Sequence, residues 1–336
     1  MALRLLELVL QERDSGDVRE LLKDCKVLEH RHIRLTDDEV LVRILLDAVQ
    51  SETVLDLLEK QYTGREGYRV MVLPVEATLP RAQVEPEETA APEPSAPEEK
   101  TPERIGREEL YEDIKNGAQL SRVYMALVAL STVVAAIGLH HNNVAVIIGA
   151  MVIAPLLGPS IALSLGITLG DVSLLRKGLL TALAGNASAL VLSVLIGLLL
   201  NVDPTLSELA LRTQVGLGDI VLALASGCAG ALAFTTGVST ALIGVMVAVA
   251  MLPPLVTSGL LFGGGHPTLA MGALSLFLVN LICVNLAGVT TFLIQGIKPT
   301  NWWDKVQAKK ATRIAIALSI VLLAVLVGII LLVHKG

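Results

Sequence analysis

Two clusters of proline, glycine and small polar residues lie inside long apolar stretches of this chain. The first cluster consists of Pro155, Gly158, Pro159 and Ser160, and the second of Pro253, Pro254 and Thr257. Because proline lacks a backbone N–H and clashes with the preceding turn, each cluster predicts a helix interrupted near the bilayer centre. A second half-helix beginning near Ser160 or Leu255 would direct amides and a positive dipole end at a small polar or anionic solute.

An asparagine follows each cluster in the next apolar stretch, Asn186 in one case and Asn280 in the other. The two asparagines therefore complete the predicted solute-binding site. Two other interpretations stay open. The prolines could be kinks used only for packing. The asparagines could serve only to hydrogen-bond helix to helix, which contributes about 0.6 kcal/mol per bond on average.

The residues needed for catalysis or metal binding are missing from the pattern. Apart from Arg313 at one end, no charged residue lies well inside an apolar stretch, so a proton relay within a membrane lacks its parts. No HExxH motif and no glycine-flanked serine motif occurs. The three cysteines are too scattered for a zinc site or a disulfide framework. We therefore expect no enzyme activity, no metal and no cofactor.

The composition is that of a membrane protein with a soluble part. Apolar residues make up 53% of the 336 residues and charged residues 17%, whereas soluble domains carry about 25% charge. Seven apolar stretches are long enough to cross about 30 Å of hydrocarbon. They are 122–139, 143–169, 177–200, 218–235, 238–262, 268–294 and 312–333. The sequence thus predicts a transmembrane domain over 121–336 with seven helices.

Basic residues set the expected orientation. With the N-terminus inside, all the basic residues between the spans except Arg212 fall in cytoplasmic loops, as the positive-inside rule requires. This predicts a multi-pass protein of the cell (inner) membrane with a cytoplasmic N-terminus and the C-terminus outside. Re-entrant hairpins at 143–169 and 238–262 are the alternative. A hairpin at 143–169 would place Arg176 and Lys177 outside, so full spans are preferred.

The two clusters belong to a repeated segment. IIGAMVIAPLLGPS (147–160) and LIGVMVAVAMLPPLVTS (242–258) share identical residues at a constant offset of 95, including Gly149 with Gly244 and Pro159 with Pro254. Each segment is the middle member of a set of three spans. Because three is odd, the second set is inverted relative to the first. The sequence therefore predicts a 3+3 inverted repeat with two broken helices, plus one further helix.

A soluble domain and a linker precede the spans. Residues 1–79 predict strands at 3–11, 27–35, 40–47 and 68–75, with helices at 17–25 and from Ser51. The order βαββαβ suggests a cytoplasmic α+β domain with a ferredoxin-like sheet. Residues 80–120 form a Pro/Glu-rich linker, with six of the 14 prolines in 80–102, and a polar juxtamembrane helix.

The segments "NNVAVIIGAMVIAPLLGPSIALSLGITLGD" (142–171) and "YRVMVLPVEATLP" (68–80) resemble a prokaryotic family of uncharacterised hydrophobic membrane proteins, domain-of-unknown-function family 389. The resemblance covers nearly the whole chain. It implies a prokaryotic cell-membrane protein, but no substrate, reaction or catalytic residue.

Two functions fit these features. The first is a transporter or channel for a small polar or anionic solute, with the soluble domain as regulator. The alternative is a membrane-anchored sensor or scaffold, in which the soluble domain binds a ligand and the helices relay the signal. An anchor needs no inverted repeat, so transport is preferred. The expected partners are the solute, the lipid bilayer and a second copy in a homodimer, and no nucleic acid.

Overall fold

The computed structural model describes residues 3–23, 25–36, 38–65, 67–75, 106–236 and 240–297, together with the single positions 317 and 321. For Val49 and residues 240–250 it describes only the backbone. The chain divides into two compact units, Met1–Leu110 and Tyr111–Gly336, which we name the sheet unit and the helical unit. The predicted linker at 80–102 lies outside the described residues, as does the seventh predicted span except for positions 317 and 321.

The sheet unit has the predicted order of elements. They are β1 (Leu3–Gln11), α1 (Glu12–Leu21), β2 (Val27–Arg34), β3 (Glu39–Asp47), α2 (Ala48–Tyr62) and β4 (Arg69–Val75). All strand pairings are antiparallel, and the strand order across the sheet is β2-β3-β1-β4. The next helix, α3 (Arg107–Gly117), contains the boundary between the two units.

Alternating side chains of β1 and β3 form the core of the sheet unit. Leu6, Leu8 and Ile44 are fully buried, whereas the odd-numbered residues of β1 are half-buried, because successive side chains of a strand point to opposite faces. Val18 of α1 and Leu58 of α2 pack in the same cluster. Burying each large side chain contributes about 1.5–3 kcal/mol, so one face of the sheet supplies most of the stability of this unit.

Helix α1 begins at Glu12, earlier than the predicted start at Asp17. The backbone N–H of Glu12 donates to the carbonyl of Asp38 at 2.9 Å, so the chain turns into the helix directly after the last β1–β3 pair, Gln11 with Glu39. The beginning of α3 also belongs to this unit. There Glu109 accepts hydrogen bonds from the buried Arg4 guanidinium at 2.8 and 3.0 Å.

The helical unit is a bundle of apolar helices. Its first half comprises α4 (Arg122–His140), α5 (Val144–Ile153), α6 (Leu157–Leu169) and α7 (Val172–Leu199). After the short α8 (Ser207–Ala210), its second half comprises α9 (Leu217–Thr236), α10 (Thr240–Gly263) and α11 (Pro267–Ile294). Among the described residues, α4, α7, α9 and α11 are long and apolar enough to cross a membrane, and α5 with α6 makes a fifth span if this bent pair is one.

Helix α7 begins at Val172, five residues before the predicted span. The reason is a capping residue, since the Asp171 carboxylate accepts hydrogen bonds from the amides of Ser173 and Leu174 at 2.8 and 3.1 Å. A side-chain oxygen that pairs with otherwise unpartnered amides fixes the first turn of a helix. The charged residues Arg176 and Lys177 therefore lie on the first turns of α7, where both are exposed.

The helix bounds recur at an offset of 95 residues. The first residue of α4 and both bounds of α7 have counterparts in the second half: Arg122 with Leu217, Val172 with Pro267, and Leu199 with Ile294. The packing recurs as well, because each of five helix pairs in contact has an equivalent pair in contact when every helix is replaced by its counterpart from the other half. The matches are α4–α5 with α9–α10, α4–α7 with α9–α11, α6–α7 with α10–α11, α6–α11 with α10–α7, and α4–α10 with α9–α6.

One prediction about these helices is wrong. Pro253 and Pro254 lie inside α10, which is continuous, so no half-helix begins near Leu255. A proline in a helix interior costs about 3 kcal/mol, and the sequence rule takes only this local cost into account. In the bundle, α10 contacts α4, α5, α6, α7, α9 and α11, and both prolines are buried. This packing holds the helix together across the prolines.

Candidate functional site

The candidate site is built around a break in the first half of the helical unit. Helix α5 ends at Ile153 and α6 begins at Leu157, and their axes differ by 53°. The three residues between them, Ala154–Leu156, form the segment that we call the break. Ala154 is extended, with φ −69° and ψ 118°, as expected for a residue that precedes proline.

The sequence of the break explains its conformation. Pro155 cannot donate the hydrogen bond that would continue α5. Pro159 is the third residue of α6, a position within the first turn where a backbone N–H has no helical partner in any case. Ala154 and Leu156 are buried, so the backbone that leaves helical pairing here is enclosed by protein. Such enclosure is the condition for irregular backbone at membrane depth.

Ser160 joins the break to the second half of the unit. Its hydroxyl lies 3.2 Å from the carbonyl oxygen of Leu156 and 3.8 Å from the sulfur of Met251, and it is 1% exposed. Met251 precedes Pro253 by two residues. Ser160 of the first cluster therefore lies close to the residue two positions before the second cluster, while the shared site itself stays a prediction.

A row of buried hydroxyls continues from the break along α6. Ser160, Ser164 and Thr168 are spaced by four residues, and each hydroxyl donates to the carbonyl one turn earlier. The Ser164 hydroxyl also lies 3.2 Å from the backbone oxygen of Asn285 and 3.4 Å from its side-chain oxygen. This row adds Ser164, Thr168 and Asn285 to the site. Ser164 and Asn285 are recognisable from the sequence as polar residues within apolar stretches, whereas Thr168 is indicated only by the spacing of four along one face of α6.

The other predicted site residues are placed less closely. Thr257 is fully buried, and within the described residues its hydroxyl has no hydrogen-bond partner. The side-chain oxygen of Asn186 is buried without a partner among those residues, although the whole side chain is half-buried. Asn280 is 5% exposed. The membership of Asn186, Asn280 and Thr257 in the site stays a prediction.

The two halves are in close contact at two helix crossings near the site, α6 with α11 and α7 with α10. Gly288 of α11 leaves so little space that a Cβ there would lie 2.6 Å from the Ser164 hydroxyl. At the second crossing, a Cβ on Gly259 of α10 would overlap the Ser193 side chain of α7. Ser164 and Gly259 are 95 residues apart, as are Ser193 and Gly288. The two crossings are therefore equivalent contacts with serine and glycine exchanged.

At the other end of α6, Asp171 links the start of α7 to α3. The Tyr111 hydroxyl donates to the Asp171 carboxylate at 2.6 Å. Burial raises the pKa of Asp171, but hydrogen bonds from Tyr111, Leu174 and Ser173 and the charge of Lys177 outweigh it, so the pKa lies below its ordinary value. Burial and this hydrogen bond raise the pKa of Tyr111 to about 12, so the phenol stays a donor at neutral pH.

The polar groups near the break are uncharged, so they can interact with a solute through hydrogen bonds and dipoles. The hydroxyls of Ser160 and Ser164, the neighbouring carbonyl oxygens and the first amides of α6, which the N-cap residue Leu156 does not cap, can solvate a polar molecule or a partly dehydrated ion. Across the residues that the structure describes, no three His, Cys, Asp or Glu side chains are grouped to hold a metal ion.

The long apolar helices of this unit, with a break that is followed by buried hydroxyls, indicate a multi-pass membrane protein. The family model described as a domain of unknown function (DUF389) matches residues 151–286. An uncharacterized protein of Methanocaldococcus jannaschii is 38% identical over 281 residues, which is 84% of each chain. The chain belongs to the DUF389 family, which confirms the resemblance seen in the sequence. No solved structure matches the chain.

Proposed function

We propose that this protein is a transporter or channel for a small polar or anionic solute, and that the sheet unit regulates it. The observation that carries the proposal is the break at Ala154–Leu156 together with the buried Ser160 hydroxyl at the start of α6, which lies 3.8 Å from the Met251 sulfur. An anchor helix needs neither buried polar groups nor a break, whereas a solute that crosses a bilayer must be solvated by groups like these.

In this proposal six spans form a 3+3 inverted repeat, and 312–333 is a seventh span. The six spans are α4, the pair α5–α6, α7, α9, α10 and α11. The offset of 95 in helix bounds, the matched helix pairs and the exchanged Ser–Gly crossings all support the repeat. With an odd number of spans in each half, the halves cross in opposite directions. Solute sites in such proteins lie at the interface of the repeats, near interrupted helices. The contact of Ser160 with Met251 joins the halves at such a place.

The binding residues in this proposal are those of the break and of the polar row on α6. Ser160, Ser164 and Asn285 supply oxygen dipoles, and the first amides of α6 supply donors. Pro155, Gly158 and Pro159 shape the backbone, and the proposal assigns Pro253, Pro254 and Thr257 of α10 to the same site. Asn186 and Asn280 extend the path along α7 and α11. The site has no fixed charge, so a solute is recognised by hydrogen bonding.

We assign the sheet unit to the ferredoxin-like class and place it in the cytoplasm of the cell. The order of elements and the strand order β2-β3-β1-β4, which are those of a βαββαβ fold, support the class. The excess of basic residues in the loops between alternate spans supports an N-terminus inside and a C-terminus outside. A homodimer is our further expectation, to be checked by light scattering of the detergent-purified chain, where a monomer mass would contradict it.

The test is a thermal-shift screen of the full chain in detergent with small ions, metabolites and nucleotides. A solute at about 100 times its dissociation constant should stabilise the protein by about 2.7 kcal/mol. Each hit is then measured for flux into proteoliposomes. The variant Ser164→Ala should weaken binding and flux, because it removes a hydroxyl from the polar row.

Ser188→Ala is the matched control. Ser188 is a half-buried serine of α7 whose hydroxyl makes the same kind of bond within its helix, to the carbonyl of Gly185 at 2.8 Å. Equal loss in both variants would show a general effect of removing a serine and refute the site. A ligand that stabilises the protein without any flux would favour the sensor function over transport.

A further inference from the structure

The two middle segments of the repeat have equivalent sequences but different conformations. In the first half the segment is broken at Ala154–Leu156, and in the second half the corresponding positions 249–251 belong to the continuous helix α10. Helix α6 begins at Leu157, and the residue 95 positions later is also leucine, Leu252. At the break itself the two segments differ by one proline, since Pro155 corresponds to Ala250, but Pro159 and Pro254 are equivalent and Pro253 takes the place of Gly158, so each segment contains two prolines.

The prolines favour a break in whichever segment is continuous. Inside α10, Pro253 and Pro254 each leave the carbonyl four residues earlier without its helical partner. If α10 broke at 249–251, as the first half does, a new half-helix would begin at Leu252. Pro253 and Pro254 would then be its second and third residues, where the missing N–H has no cost. The broken form thus relieves both prolines at once.

Straightening the broken α5–α6 segment into one helix is opposed by two prolines of the first half. A continuous helix through 144–169 would place Pro155 and Pro159 in a helix interior. The arrangement in this structure and its exchanged counterpart therefore each contain two prolines inside a continuous helix. The prolines alone therefore favour neither conformation, and a small difference in free energy is the condition for populating both.

The helix crossings allow the exchange without dismantling the bundle. Ser164 with Gly288 holds the segment after the break against α11, and Gly259 with Ser193 holds the equivalent segment of α10 against α7. Both crossings lie after the segments that would bend. The Ser160 hydroxyl at the start of α6 lies 3.8 Å from the sulfur of Met251, and Met251 is the last of the three positions at which α10 would break. Bending one segment therefore changes the environment of the other.

From these observations we infer that the protein exchanges between two conformations, in which the break passes from Ala154–Leu156 to the equivalent positions of α10. The inference rests on the inverted repeat of the proposed function and deepens it. Because the halves are inverted, a break that moves between them changes the side from which the polar row is reached. The exchange is thus a mechanism of alternating access for a carrier.

The test measures the distance between spin labels on α5 and α7 in the full-length protein, reconstituted in lipid nanodiscs without solute. Cysteines are placed at Ile148 and Leu183, which are 46% and 58% exposed, after the native cysteines are replaced by alanine. Straightening of the α5–α6 segment removes its bend of 53° and moves α5 relative to α7. Electron–electron double resonance should therefore record two distances in the otherwise native chain.

Proline variants should shift the two populations in opposite directions. The double variant Pro253→Ala/Pro254→Ala should favour the distance of this structure, and Pro155→Ala/Pro159→Ala should favour the other. We expect the population ratio to differ between these variants by at least about tenfold, or about 1.4 kcal/mol. Pro267→Ala, at the first residue of α11, is the matched control and should leave the ratio unchanged.

If a double variant does not fold, the single variants Pro159→Ala and Pro254→Ala at equivalent positions give the same comparison. One distance in the native chain and in all variants would overturn the inference, as would a shift of both variants in the same direction. The measurement needs no solute. A single distance together with solute flux would leave a channel with a fixed break, whereas two distances without flux would leave the exchange intact and refute transport.

Discussion

The two halves of the helical unit place equivalent residues in different backbone conformations. The first half isolates its prolines in a break between α5 and α6, and the second half encloses Pro253 and Pro254 within the continuous helix α10. The crossings around them are equivalent, with serine and glycine exchanged between partners. The comparison teaches that the prolines permit a break but do not impose one, because packing on all sides of α10 outweighs their local cost.

The largest effect is expected when alanine replaces two equivalent prolines, Pro159 and Pro254. Pro254→Ala restores a hydrogen bond inside α10 and should raise the free energy of unfolding by up to about 3 kcal/mol. Pro159→Ala lies in the first turn of α6, where no helical partner exists, and should change it by less than about 0.5 kcal/mol. Thermal unfolding of both variants in one detergent, followed by circular dichroism, gives the comparison. Equal effects would mean that the two prolines have the same environment, contrary to the structure.

An exchange of residues at one crossing gives the next test. Gly259→Ser should destabilise the protein by about 1–3 kcal/mol, because its side chain overlaps that of Ser193. Adding Ser193→Gly creates the arrangement already found between Ser164 and Gly288. The double variant should therefore be more stable than the sum of the single changes predicts, by about 1 kcal/mol or more.

The other crossing supplies the control for this cycle. Gly288→Ser with Ser164→Gly should show a coupling of the same sign, since Gly288 lies against Ser164 as Gly259 lies against Ser193. Unfolding midpoints of the six variants complete both cycles. Additive effects at both crossings would mean that the serine–glycine exchange is not a packing relationship, and would remove one support of the repeat.

Sequence patterns predicted the helices better than the site. Long apolar runs fix where a helix can lie, so α9 and α11 were predicted within one residue at each end. The offset of 95 was visible from identical residues such as Gly149 and Gly244. The continuity of α10 was not predictable, because it depends on neighbouring helices that a local proline rule ignores.

The candidate site shows the same division between local and distant contacts. The repeat led us to expect one site shared by the two clusters, and the structure shows Ser160 next to Met251, two residues before Pro253, while the shared site stays a prediction. The contact of Ser164 with Asn285 joins residues 121 positions apart, and no spacing rule indicates it. Which polar groups meet across a bundle depends on how helices are rotated about their axes, and an almost uniformly apolar sequence carries little information on that rotation.

Among the described residues, the Tyr111–Asp171 contact of the first half has no equivalent in the second half. At the position equivalent to Asp171, the second half has His266, which makes no side-chain cap to α11. Tyr111→Phe removes the hydrogen bond to Asp171 and should lower the free energy of unfolding at pH 7 by about 1 kcal/mol. It should also raise the pKa of Asp171, because that hydrogen bond favours the carboxylate.

The pH dependence of this variant follows from the lowered pKa of Asp171 in the folded protein. Its interactions stabilise the fold above the unfolded value of about 4 and are lost as the pH falls through the folded value. The difference between Tyr111→Phe and the native chain should therefore shrink below about pH 4. Thermal unfolding at pH 7 and at pH 3 measures it, and a constant difference would show that Tyr111 acts through packing alone.

The smallest expected difference concerns the first turns of α4 and α9. Ser121 precedes α4, and its hydroxyl accepts from the amide of Tyr124 at 3.0 Å. Gly216, 95 residues later, precedes α9, and its amide donates instead to the Asp219 carboxylate at 2.8 Å. The same two positions thus pair in opposite directions, as the two arms of a capping box do.

Replacing Ser121 and Asp219 by alanine, one at a time, compares the two capping hydrogen bonds directly. Ser121→Ala should cost about 1 kcal/mol, since alanine cannot accept from Tyr124. Asp219→Ala should cost only a few tenths of a kcal/mol, because Asp219 is only half-buried and water can replace it at the exposed Gly216 amide. Thermal midpoints at low and high salt separate the two, since only the carboxylate variant should depend on salt. A larger loss for Asp219→Ala would assign the carboxylate a role beyond capping, at the one acidic residue on the described spans of the second half.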